Sequence, residues 1–255
     1  DTPARFEVAG RYHGEDGVLR GHYRIADIAE LLGALTAGAP LPELVTDTHG
    51  QLELDSLHLR GTLALESRTR VKALQRVLGE TAALPAHLDL ALASHGSFDA
   101  NAFNLAALEL NVTDNNSINR LSAALGAPLS LPFAAPLSVL ETPREIARMA
   151  LGPLPLAWLQ GLAPGKVLNG ELLGPFALAI DEQKRIRLAP LAPSDLSKLR
   201  IASVESAPPP EDGETPSPPQ ATGETVLVEN LDLRVSPSAS WSPDFLRFAL
   251  NDASV

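Results

Sequence analysis

The feature that most constrains this chain is that it repeats itself. The stretch from His49 reads HGQLELDSLHL, and a stretch from His95 reads HGSFDANAFNL. The two align at an offset of about 46 residues, the kind of period that marks a repeat architecture built from stacked supersecondary units. His, Gly and the last Leu are identical. Leu52/Phe98, Glu53/Asp99, Asp55/Asn101, Ser56/Ala102 and Leu57/Phe103 are close replacements. The same offset carries Ile28-x-x-x-Leu32-Gly33 onto Leu74-x-x-x-Leu78-Gly79, and a third copy reads Leu121-x-x-x-Leu125-Gly126. Apolar residues at helical spacing followed by glycine predict a short amphipathic helix ending in a left-handed cap. The repeating unit therefore reads as helix, loop and strands.

The strand portions show period-two alternation. Leu57, Leu59, Leu63 and Leu65 fall on one face with His58, Arg60 and Glu66 off it. Leu88, Leu90 and Leu92 do the same, as do Leu108, Leu110 and Val112 before the turn-forming Asp114-Asn115-Asn116. The apolar phase slips by one between Leu54 and Leu57 and again between Leu105 and Leu108, which predicts a bulge or tight bend at each place. Stacked copies in register would set Leu52 beside Phe98, Leu57 beside Phe103 and Leu59 beside Leu105, forming an apolar ladder. Such a ladder is either covered core or a surface for apolar cargo.

Elsewhere, strands over Arg5–Tyr12 and Val18–Ile25 flank a His13–Gly17 hairpin signal. Thr142 to Leu151 opens with Thr-Pro and Glu145 and predicts a helix, and Asn169-Gly170 introduces a strand pair through Ile180 and Arg187. Residues 206–222 are proline-rich and acidic and read as a linker or loop. The expected organisation is a repeat-built body over 1–205, with units near 25–66, 70–114 and 117–190, and resumed strands over 223–255, with the sheet starting again at Val226. The expected fold class is β-rich α+β: repeated strand units with short amphipathic helices between them, in an elongated or curled antiparallel sheet.

Several function classes lose support at this level. A formal charge of -11, with no basic stripe, argues against nucleic acid as a partner. There is no cysteine, so disulfide and thiolate chemistry are excluded. No nucleotide-binding loop, nucleophile elbow or His-Glu-x-x-His occurs, so no catalytic residue, cofactor or metal is expected. His13, His22, His49, His58, His87 and His95 are the only histidines. His49 and His95 occupy equivalent repeat positions, where a shared metal is conceivable and a polar strand position is the plainer reading. The apolar windows 127–140 and 146–162 are broken by proline and charge, so no transmembrane segment is expected in this sequence.

The Leu-x-x-x-Leu-Gly segment, prolines such as Pro40 and Pro42, and then Gly50 to Leu59 together resemble the repeating unit of AsmA-family and TamB-like envelope proteins. A second match runs from Leu78-Gly79 through Gly96 to Asp114, and a weaker one from Leu125-Gly126 to Leu172. The resemblance implies a non-enzymatic, periplasmic segment of a membrane-anchored protein whose anchor lies outside this sequence. It also implies phospholipid transport or outer-membrane assembly through an apolar β-groove, with acyl chains and envelope proteins as partners. The candidate lipid-contacting residues are Leu52, Leu57, Leu59, Leu63, Leu65, Leu88, Leu90, Leu92, Phe98, Phe103, Leu105, Leu108, Leu110 and Val112. The alternative is a structural or protein-binding scaffold in which the same face is covered core.

Overall fold

A computed structural model describes residues 5–26, 42–78, 84–162, 165–204, 224–242 and 245–254. Nearly everything in it is strand. From the amino terminus an antiparallel meander runs β1 (Arg5–His13), β2 (Val18–Ala26), β3 (Glu43–Asp55), β4 (Arg60–Lys72), β5 (His87–Phe98) and β6 (Ala102–Asp114). The far side of β6 is shared: its second half pairs β7 (Asn119–Leu125) and its first half pairs β8 (Leu129–Pro132). Next come β9 (Arg144–Pro155) beside β7, and then β10 (Lys166–Ile180) beside β9.

The carboxy-terminal strands close on themselves. β10 pairs β12 (Ser194–Val204) through Lys166–Leu173 and β11 (Ile186–Pro190) through Phe176–Ile180. β13 (Glu224–Ser242) pairs both β12 and β11, which completes a four-strand ring, and β14 (Phe245–Ser254) adds to β13. Gly174-Pro175 sits where β10 changes partners, the place in a strand where a missing Cβ and a missing N–H cost least. The core is here. Phe176, Ile180 and Val235 are 2–3% exposed and Ala202 is fully enclosed. Among the described side chains of β1–β9, by contrast, only Val112 is a buried apolar residue, and it keeps 9% exposure.

This corrects the expected α+β class. Among the described residues strands account for 74%, and no α-helix longer than one turn separates the strand units. The helix expected near Leu74–Leu78 shrinks to one turn, α1 (Gln75–Leu78), and the one near Ile28–Leu32 lies outside the described residues. Leu121–Leu125 is strand β7, and Thr142–Leu151 gives way to β9 after a 3-10 turn over Pro136–Glu141. The physical reason is a degenerate period: residues four apart share a face in a strand as well as in a helix, and Ala123 between Leu121 and Leu125 completes the two-residue alternation. Pairing on both sides then decides for strand.

The hairpin units behind the sequence repeat are visible. His49-Gly50 and His95-Gly96 both precede a turn, and each glycine lies beneath an aromatic ring from a neighbouring strand. A Cβ on Gly50 would meet Tyr23 Cζ at 2.4 Å, and one on Gly96 would meet Phe103 Cζ at 2.6 Å. Gly61 repeats the arrangement under Phe98. Rings laid over strand glycines restore the side-chain packing that a glycine in a sheet lacks.

Candidate functional site

The strand register gives the open sheet two chemically opposite faces. On one, the cross-strand row Leu92–Leu110–Ala123–Met149–Phe176 runs through β5, β6, β7, β9 and β10. Its first four members are half-buried and its last is barrel core, so the apolar surface passes unbroken from open sheet to closed interior. Leu52 opposes Leu63, Gly50 opposes Leu65, and Phe98 opposes Phe103, so β3–β6 contribute to the same face.

Most of the residues expected in the ladder are brought together there. Leu52, Leu63, Leu65, Leu88, Leu90, Leu92, Phe98, Phe103, Leu105, Leu108 and Leu110 are half-buried, and Val112 is buried. The neighbours differ from those expected of stacked copies, because each hairpin folds back on itself and Leu52 meets Leu63, while Phe98 meets Phe103.

Leu57 and Leu59 are not on this face. They sit in the β3–β4 turn, 67% and 61% exposed, and Leu59 has a left-handed backbone with φ of 49°. The slip between Leu54 and Leu57 is therefore a loop. Asp55 closes it by accepting the backbone N–H of Leu57 and of His58. Leu57 rests against Gly17 of the β1–β2 turn, whose carbonyl accepts from the backbone N–H and hydroxyl of Ser56. The slip between Leu105 and Leu108 is a true bulge, with Ala106 as the extra residue opposite His95 and Gly96.

Two polar features interrupt this face. Thr46, Thr48, Ser67 and Thr69 interrupt the leucines with hydroxyls that bond to one another, Thr48 to Ser67 at 2.8 Å and Thr69 to Thr46 at 3.3 Å. The signal was present in sequence as Thr-x-Thr and Ser-x-Thr at strand period. At one end, Asp114 and Arg120 form a buried ion pair against Trp158. Burial alone would raise the Asp114 carboxyl. Hydrogen bonds from Arg120 and from the N–H groups of Ile118 and Asn116 outweigh burial and hold it below the ordinary carboxylate range.

The other face is charged. Arg20–Glu53, Arg24–Asp47 and Arg70–Asp89 pair across strands, and His49 lies 3.4 Å from Glu66. Three cavities of about 710, 730 and 700 Å³ follow one another along the strands of this face. His22, His49 and His95 all border the middle one, with Glu66 and Glu109. His49 and His95 are separated by β4, standing opposite Glu66 and Ala64 respectively, so the two repeat-equivalent histidines do not face each other as a ligand pair. Among the described residues no three His, Asp or Glu side chains converge as a metal site, and no helix is long and apolar enough to cross a membrane.

No family model matches the sequence, and neither a curated protein nor a solved structure does.

Proposed function

We propose that this chain is a non-enzymatic segment of a bacterial envelope protein that carries phospholipid acyl chains along the apolar face of its sheet, in transport or outer-membrane assembly. The observation that carries the reading is the row from Leu92 to Phe176. A continuous aliphatic surface is left half-covered over β5 to β9 and becomes fully enclosed only at the barrel. Aliphatic side chains with few aromatics suit flexible hydrocarbon, and each methylene taken from water contributes about 0.8 kcal/mol. A charged opposite face lets such a sheet stay in water while one side holds lipid. The AsmA- and TamB-like repeat pattern and a periplasmic location belong to the same reading.

Mass spectrometry of the organic extract from chain purified out of the periplasm tests it, beside a Leu65→Asp/Leu108→Asp variant confirmed to be folded by circular dichroism. Phospholipid in the parent and none in the variant supports lipid carriage. Absence from both overturns it.

A scaffold reading has one observation of its own. Among the described residues β1 pairs only with β2, and it presents Phe6, Val8 and Tyr12 at 61%, 79% and 61% exposure on the outer strand of the sheet. Strand addition by a protein partner fits that edge. A Val8→Lys change that abolishes partner capture without altering lipid content would favour it.

A further inference from the structure

The first cavity of the charged face has the opposite sign from the chain as a whole. It occupies about 710 Å³ at the Arg5 end of β1 and the Lys72 end of β4. Five of its lining residues are Arg or Lys and three are carboxylates, in a chain of net charge -11. Two of those carboxylates are already taken. Arg24 holds Asp47 through two contacts at 2.9 and 3.0 Å, and Arg70 holds Asp89 through two at 2.7 and 3.2 Å.

What remains is Arg5, Arg68 and Lys72 against Glu7. Those three cations make no hydrogen bond or ion pair at bonding distance among the described residues, although Arg68 acts on Asp47 through its charge. The register sets Arg5 and Arg68 in one row, Arg5–Ala26–Asp47–Arg68, three strands apart. At about 4.8 Å per strand their backbones stand about 14 Å from each other, on opposite walls of the cavity. Long guanidinium side chains can close on a group held between such walls, and Lys72 stands on the same strand and face as Arg68, four residues further along. Asn111 adds an uncharged amide to the lining.

We infer that this cavity binds a phosphate group, clamped between Arg5 and Arg68 with Lys72 as the third cation. Forked donors from two sides fit a tetrahedral dianion, whereas a lone carboxylate is satisfied by one arginine, as Asp47 and Asp89 already are. The cavity exceeds bare phosphate several-fold and falls within the ~300–1,000 Å³ range of small-molecule sites, so the phosphate is expected to belong to a larger molecule. That molecule is either a soluble phosphorylated compound or a lipid headgroup. The site does not rest on the acyl-chain reading, because the sheet itself stands between this cavity and the apolar face.

Titration calorimetry of the full chain with inorganic pyrophosphate tests the inference, in the parent and in Arg68→Gln/Lys72→Gln. Both residues line an open cavity, so folding should persist, as circular dichroism would verify. The expected result is saturable binding that weakens with added salt and falls at least tenfold in the variant, while Arg187→Gln/Lys184→Gln, which removes two cations elsewhere, leaves it unchanged. No binding, or equal losses in the two variants, overturns the site. Co-sedimentation with phosphatidylglycerol/phosphatidylcholine vesicles then separates the sources. Pelleting lost in Arg68→Gln/Lys72→Gln assigns the phosphate to a headgroup, and pyrophosphate binding without pelleting assigns it to a soluble ligand.

Discussion

The Arg120 guanidinium lies 2.7 Å from the Asp114 carboxylate and 5.4 Å from the centroid of the Trp158 ring. It also donates to the carbonyl of Pro153. One side chain thereby ties the β6–β7 turn to the end of β9 and to the 3-10 segment Leu156–Leu162 that follows it. The Asp114 side chain is only 2% exposed, so removing its partner would leave a buried carboxylate without a counter-charge. Arg120→Met is expected to cost on the order of 3–5 kcal/mol, read as a fall in the urea midpoint.

The same pair sets an acid limit. Because the Asp114 pKa is lowered on folding, its contribution is complete above the ordinary carboxylate value and is lost as pH falls through the folded one. Urea midpoints measured from pH 7 down to pH 3 should be flat at first and then drop. In Asp114→Asn, which starts lower at pH 7, the drop should be smaller.

Leu59 gives a prediction of the opposite sign. It is mostly exposed and holds a left-handed φ of 49°, a conformation that costs a residue with a Cβ about 1–2 kcal/mol. Leu59→Gly is therefore expected to raise the melting temperature or leave it unchanged. A ladder residue truncated in the same way would lower it.

Leu59 also marks where sequence ceases to be legible. Strict alternation placed Leu63, Leu65, Leu88, Leu90, Leu92, Leu108 and Leu110 on one face, because a period of two survives whatever the strands pair with. The phase slip before Leu57 and the one before Leu108 look alike as letters. Only the backbone separates a loop closed by Asp55 from a bulge at Ala106. Leu121 and Leu125 failed as a helix for a related reason, since their spacing fits both element types. The charged cavities and the barrel were illegible because they depend on which strands become neighbours. Phe176 is core through pairing with both β9 and β11. Arg5 and Arg68 line one cavity from β1 and β4 although they lie far apart in the chain.

The His-Gly dipeptide that revealed the repeat has a packing cause at its glycine. A side chain at Gly96 would strike the Phe103 ring, and one at Gly50 the Tyr23 ring. Gly96→Val is expected to destabilise by about 1–3 kcal/mol through overpacking. Pairing it with Phe103→Ala should recover part of that loss, measured as non-additivity in a double-mutant cycle.

Leu92 and Ala93 are adjacent residues on opposite faces of the sheet. Installing a photo-crosslinking amino acid at each in turn, and irradiating chain expressed in the periplasm, tests which face of the sheet meets lipid. A phospholipid adduct is expected by mass spectrometry at position 92 and none at 93. An adduct at 93 alone, equal adducts at both, or none at either would contradict lipid carriage on the apolar face.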